Sequence, residues 1–204
     1  MIDPKNYFEA GLILHGHKCP AMPMGLRAGA AAMNKLGVER SKDSQLLALL
    51  ELGEDHYATC FADGIQAITG CTFGKGNIKK LHYGKWGMTL IDTQSGKAVR
   101  VCPKADAMLS NKKTEFFSKY RKKGIPASEV PEDVVNPLIE RIMNSPEEMI
   151  LNMGEIFDYA VPKKLHSFSG FVCDHCGEMV VESYGRPMQD EKVCLPCYEK
   201  ATRK

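Results

Sequence analysis

The sequence predicts an α+β fold, with a mixed helix and sheet core domain over residues 1–165 and a small four-cysteine domain over 166–204. Three observations predict it. Helix-period and strand-length apolar runs share the chain without regular alternation, which favours α+β over a doubly wound sheet. A length of 204 residues suits one sizeable domain plus a small module, because domains usually run to roughly 100–150 residues. The final stretch carries two Cys-x-x-Cys pairs, Cys173 with Cys176 and Cys194 with Cys197.

A first helix is expected over 5–14, where Tyr7, Phe8, Leu12 and Leu14 recur at helical spacing. The run His15-Gly16-His17-Lys18-Cys19-Pro20 reads as an extended loop, and Pro20 suits the first turn of a second helix ending near Gly37. That helix is unusually small inside, with Gly25 and Gly29 one turn apart. Each glycine weakens a helix by roughly 1 kcal/mol against alanine, so close packing must supply the reason for them.

Residues 46–52 read as a buried strand, 60–69 as a helix stopped by Gly70, and 78–83, 88–92 and 98–102 as strands. The Gly-rich run from Cys71 to Asn77 reads as a loop able to wrap a small anion. Helices follow over 113–122 and 131–143. Ser145-Pro146-Glu147-Glu148 spells a capping box for one more. Residues 156–161 read as a last strand before a linker over 162–170.

Composition excludes several classes. Twenty-seven Lys and Arg against 25 Asp and Glu leave a formal charge of +2, too balanced for a polyanion partner. From 163 to 204 basic and acidic residues almost cancel, so nucleic acid is an unlikely partner for the tail. No apolar run approaches the roughly 18 residues that span a bilayer. The N-terminus lacks a basic-then-apolar leader, so a cytoplasmic location is expected. In that setting eight cysteines point to metal or catalysis before disulfides.

The two Cys-x-x-Cys pairs enclose 17 residues, inside the spacing of a four-cysteine zinc site. Each pair puts two thiolates on one side of a tight bend, so Cys173, Cys176, Cys194 and Cys197 are the expected ligands of a structural zinc. A hairpin is expected between them, turning at Gly185-Arg186-Pro187. So short a module buries little core and depends on its metal to fold. His175 reads as a bystander.

The core offers a second constellation. His15, His17 and Cys19 fall at alternate positions, which share a face in an extended segment. Cys19 stands at a helix mouth, where the dipole favours its thiolate as metal ligand or nucleophile. Cys60 and Cys71 bracket the middle helix. About ten intervening residues at 1.5 Å each put them roughly 15 Å apart, so only one can share an ion with Cys19. Cys60 is the better choice, beside Glu54-Asp55-His56. His17, Cys19 and Cys60 would then hold a second zinc, with His15 at its edge, and Cys71 belongs to the glycine-rich loop. All five are candidate catalytic residues.

These segments together resemble the FmdE family, named for formylmethanofuran dehydrogenase. The resemblance is carried by His15-Gly16-His17-Lys18-Cys19-Pro20, Gly25-Leu26-Arg27-Ala28-Gly29, Cys60 with Gly64-Ile65-Gln66, 69–77, and the tail from Cys173 to Glu178. Two departures are Ala21, where the family more often has glycine, and Gly64, where alanine is usual. The resemblance implies an α+β core with a C-terminal zinc finger, an intertwined homodimer, and a link to a molybdenum or tungsten oxidoreductase. The chain has no ferredoxin-type cysteine pattern, so it would not run that redox step alone. It therefore reads as a zinc-binding accessory protein. The alternative is a small stand-alone enzyme using a zinc-bound water or the Cys19 thiolate, and a nucleic-acid-binding regulator ranks third.

Overall fold

A computed structural model describes residues 1–162 and 168–203. Met1–Val161 and Pro162–Lys204 form two compact units. The expected linker over 162–170 and the expected boundary at 165/166 fall largely outside the described residues.

The first unit opens with a 3-10 turn, Pro4–Tyr7, and α1, Phe8–His15. The turn starts at Asp3, whose carboxylate accepts from the Lys5 N–H. Helix α2, Ala21–Leu36, is buried on every side from Met22 to Met33. A helix apolar all round must lie inside the molecule, and this one lies between the sheet and its neighbouring helices. Strand β1, Leu46–Leu50, is followed by α3, Phe61–Thr69, and then by β2, Ile78–Lys80, which runs parallel to β1. Strands β3, Met88–Asp92, and β4, Lys97–Pro103, add antiparallel neighbours.

Helix α4 covers Ala105–Lys112, α5 covers Glu132–Asn144 and the short α6 covers Glu147–Ile150. Strands β5, Leu151–Met153, and β6, Phe157–Asp158, both pair with β4. The sheet order is β2-β1-β3-β4-β5. Every residue of β1 is buried, as a strand covered on both faces requires. Leu46, Ala48 and Leu50 face the helices, whereas Leu47 and Leu49 join Ile91 and Ala98 on the opposite side. No helix among the described residues is long and apolar enough to cross a membrane.

The glycines of α2 serve a contact inside the chain. A Cβ on Gly25 would stand 2.1 Å from the Phe61 carbonyl oxygen, and one on Gly29 would stand 2.4 Å from Ile68 Cγ2. On α3, a Cβ on Gly64 would meet the Met22 carbonyl oxygen at 2.0 Å. Residue numbers rise together along both helices, so α2 and α3 run parallel with their N-termini side by side. The close packing that these glycines serve is thus explained without a second chain.

Arg27, buried in α2, donates through Nη1 to the carbonyls of Ile142 (2.6 Å) and Met143 (3.1 Å) and through Nη2 to Ser145 (2.7 Å). These are carbonyls at the end of α5, where a helix carries partial negative charge, and they compensate the buried cation.

Three local expectations change. Residues 113–122 do not continue as one α-helix. A π-helical turn at Phe116–Tyr120 and a 3-10 turn at Arg121–Lys123 replace it, placing Phe116 in the core. Ser145 does not cap α6, because its hydroxyl donates back to the Arg141 carbonyl of α5 at 2.6 Å. In the tail, the expected hairpin gives way to two. β7, Gly170–Val172, pairs with β8, Met179–Val181, and β9, Gly185–Met188, pairs with β10, Glu191–Cys194, ahead of α7, Leu195–Thr202.

The glycine contact generates a prediction. Gly64→Ala is expected to lower stability by about 1–3 kcal/mol or more, because backbone on α2 must move to admit the methyl group. Gly74→Ala, whose added Cβ meets nothing within 4 Å, is expected to stay within about 0.5 kcal/mol. Urea midpoints at matched m-values measure both, and equal midpoints would show that the helices do not need this approach.

Candidate metal centres

Because α2 and α3 lie parallel, the residues that precede them meet. Cys19 stands just before α2, and Cys60 occupies the N-cap position of α3. Both sulfurs therefore sit at the positive ends of helix dipoles, which favours thiolate over thiol. The imidazoles come from a third element. His15 is the last residue of α1, and Gly16 takes a left-handed conformation, φ 84°, that turns the chain back towards the helix ends. Glycine adopts that conformation without penalty. Lys18 pairs with Glu132 of α5 at 2.7 Å, an exposed contact that contributes little energy but ties the loop down.

One donor atom each from His15, His17, Cys19 and Cys60 lies within 4.8 Å of the others. His15 Nε2 is 3.1 Å from His17 Nε2 and 3.4 Å from Cys19 Sγ. On its other side His15 Nδ1 donates to Asp63 Oδ2 at 2.8 Å. A carboxylate behind a histidine fixes the ring and its tautomer and leaves the opposite nitrogen free for a metal. His15 is therefore central to the cluster rather than at its edge, and Asp63, in the first turn of α3, supports it. Composition gave no sign of Asp63. Its position three residues after Cys60, on the same helix face, was the only available clue.

The protonation of the group is uneven. Asp63 and then Cys60 raise the pKa of His15 to about 9. Cys60 lies well below the usual thiol range, chiefly because it accepts a hydrogen bond from Cys19 and also because it faces His15. The same bond pushes Cys19 upward, with burial adding to it. Burial lowers His17, and the neighbouring His15 lowers it further. The hydrogen bond between the two sulfurs and the deeper burial of Cys19 thus leave the thiolate on Cys60 rather than on Cys19, where the sequence suggested it.

Cys71 does not join the cluster. It is fully buried at the far end of α3, and burial pushes its thiol up to about 11. The loop beside it is occupied with itself. Lys75 Nζ donates to the Ser41 carbonyl, and Asn77 Nδ2 donates to the carbonyls of Asp43 and Leu46. Lys75, one of the groups expected to hold an anion, is thus engaged by the backbone. His56, expected beside Cys60, is taken by backbone: Nδ1 donates to the Tyr57 carbonyl, and Nε2 accepts from the Gly53 N–H.

In the second unit, donor atoms of Cys173, Cys176, Cys194 and Cys197 also lie within 4.8 Å of one another. Cys173 and Cys176 flank a knuckle closed by Gly177, φ 72°, whose N–H donates to the Cys173 carbonyl at 2.9 Å. Cys194 ends β10, and Cys197 lies in the first turn of α7. The Cys194 N–H donates to Cys173 Sγ at 3.2 Å. Backbone N–H groups, led by that of Cys176, hold Cys173 down to about 6. His175 Nε2 is 2.8 Å from Glu191 Oε2 and stands outside the cluster.

Both donor sets fit a tetrahedral ion. Four thiolates, or two imidazoles with two thiolates, are the ligand sets that suit zinc.

Comparison with known proteins places the chain in a family. A profile of the family described as FmdE, Molybdenum formylmethanofuran dehydrogenase operon, matches residues 14–152. The chain belongs to that family. It is 29% identical over 198 residues to a protein of Archaeoglobus fulgidus described as a probable S-adenosyl-L-methionine-binding protein. That alignment covers 90% of this chain and 50% of the relative, so the chain spans about half the relative's length. The fold matches the crystal structure of a tungsten formylmethanofuran dehydrogenase FmdE-like protein of Syntrophus aciditrophicus. The TM-score is 0.62 at 22% identity, covering 98% of this chain and 95% of that one.

The protonation pattern predicts how ion binding depends on pH. Below about pH 9 His15 carries a proton that a metal must displace, and Cys19 holds another, whereas Cys60 has already lost its own. Binding near neutral pH therefore releases about two protons, and affinity should rise about hundredfold per pH unit from about pH 6 to 8. Chelator competition at several pH values, with the tail site removed by Cys173→Ser and Cys176→Ser, measures the slope. A flat profile would show that these groups are not the ligands.

Proposed function

We propose that this FmdE-family chain is a metal-binding accessory protein carrying two zinc ions, one structural in the tail and one in the core on His15, His17, Cys19 and Cys60. In this reading it serves a molybdenum or tungsten oxidoreductase of the formylmethanofuran dehydrogenase type and acts as a homodimer. The observation that carries the core site is the convergence of four donors within 4.8 Å, with Asp63 fixing the ring of His15. Membership of a family described by that dehydrogenase's operon supports the partner. The homodimer rests on the family resemblance, since Gly25 and Gly29 pack within the chain.

A second reading has an observation of its own. His17 borders an open cleft with Ile13, Lys18, Val130 and Glu132 around it. Were His17 to yield its place to water, His15, Cys19 and Cys60 would remain as three ligands, the count of a catalytic zinc. Cys19 itself makes a poor nucleophile, being buried and held as the thiol.

Metal analysis separates the sites. The intact chain is expected to hold two zinc ions, and Cys60→Ser or His15→Ala one. The Cys173→Ser, Cys176→Ser chain should also hold one, and its tail should be cut readily by protease. Cys71→Ser should keep both. A single ion that disappears with the tail substitutions would overturn the core site. Light scattering at micromolar concentration is expected to give twice the chain mass of 22.6 kDa, and a monomer would count against the dimer.

A further inference from the structure

We infer that the core also holds a site for a small organic ligand: a narrow aromatic cavity that takes an uncharged planar ring bearing a hydrogen-bond acceptor. That this ring would lie beside an ion rests on the metal reading above, whereas the binding of the ring does not.

The cavity opens where α2 and α3 begin. Its walls include Ala21, two residues after Cys19, and Phe61, the residue after Cys60. The same two helix ends that present the sulfurs therefore floor it. Tyr57, Trp86 and Phe117 add ring faces, and Met108 of α4 closes a side. The Tyr57 ring centroid is 5.1 Å from that of Trp86, tilted by 47°, and 5.7 Å from that of Phe117, at 78°. No acid, lysine, arginine or histidine lines the space, so nothing there compensates a charged ligand.

Shape narrows the class further. The cavity volume is about 30 Å³, so a bound group must be small and the flexible Met24 and Met108 side chains that line the space must yield to it. Ring faces of Tyr57, Trp86 and Phe117 around one space favour a flat group that can stack or meet them edge-on. Ligand sites are typically this apolar, with a few placed polar groups to fix orientation.

One such group stands ready. The indole N–H of Trp86 is the single buried side-chain N or O atom without a hydrogen-bond partner among the described residues. Each buried orphan donor requires an explanation, and an acceptor on the ligand's edge supplies one. Unusual backbone gathers at the same walls. Ala58 has φ 64°, rare for a residue with a side chain, and Phe117 sits on the π-helical turn. Both kinds of irregularity cluster at functional sites.

Benzamide is a suitable probe, being a flat ring with a carbonyl acceptor and no ring nitrogen to bind metal. Toluene has the ring without the acceptor, and acetamide has the acceptor without the ring. Trp86 is the only tryptophan in the chain, so its fluorescence reports directly on the cavity. Benzamide should change it saturably in the full zinc-loaded chain and acetamide should not. Met108→Phe, which narrows the space, should weaken benzamide at least about tenfold. Trp86→Phe keeps a ring but removes the donor. By ligand-observed NMR it should weaken benzamide about tenfold and leave toluene unchanged, a split that a purely structural role for Trp86 would not produce. The inference is overturned if benzamide gives no saturable response or if Met108→Phe leaves it unaltered. It is also overturned if Trp86→Phe weakens both rings alike. Zinc content is measured on the same samples. Benzamide binding without a core ion would defeat only the metal reading, and a core ion without benzamide binding would defeat only this one.

Discussion

The approach of α2 to α3 through Gly25 and Gly64 is the constraint on which the core site depends. Both missing side chains are needed, since a Cβ on either residue would lie about 2 Å from a carbonyl oxygen of the facing helix. The contact fixes the helices parallel and in register, so Cys19 and Cys60, 41 positions apart, end at one point. An alanine at 64, usual in the resembling family, would press against Met22, the residue that also packs against Gly11 of α1. The glycine contact therefore sets both the sulfur pair and the seat of the helix that delivers His15.

Charge explains why this meeting point suits a cation. Two helix N-termini bring positive potential to the sulfurs and draw a proton away from the pair. The end of α1 brings the opposite potential to His15, and Asp63 reinforces it by holding the ring's Nδ1–H. Without an ion the result is a thiolate facing an imidazolium. A cation entering there would take the place of those protons and find the donors already in position. The tail uses a different device for the same end: backbone N–H groups aimed at Cys173 by the knuckle and by Cys194.

Legibility in the sequence followed distance along the chain. The tail ligands were plain because each knuckle is a local bend of four residues, although the pairing of its strands was not. In the core the four residues were legible, but by another route than the one taken. His15, His17 and Cys19 were expected to share a face of an extended segment. Instead His15 ends a helix, and Gly16 reverses the chain. The fixed rise of a helix allowed only one of Cys60 and Cys71 beside Cys19, and the cluster holds Cys60, although His56, part of the reason for preferring it, is held by backbone. Asp63, Arg27 and Trp86 act through contacts made across the fold, which periodicity cannot show. The stretch 113–122 has helical composition, but the burial of Phe116 and the turn at Gly124 break it into π and 3-10 pieces.

The two clusters differ in what an ion would do for each. In the tail the buried residues among those described are Cys173, Val193 and Cys194, two of them candidate ligands, so that an ion there would hold much of the small core together. An ion in such a module would serve its folding. The core cluster stands on a frame that packs without it: α2 is buried on every side, every residue of β1 is buried, and Arg27 is satisfied by the end of α5. An ion there adds little that the fold lacks. Four donors backed by a carboxylate and flanked by an aromatic cavity, on a frame that packs without an ion, are what the proposed function rests on: an ion there would be free to serve something other than stability.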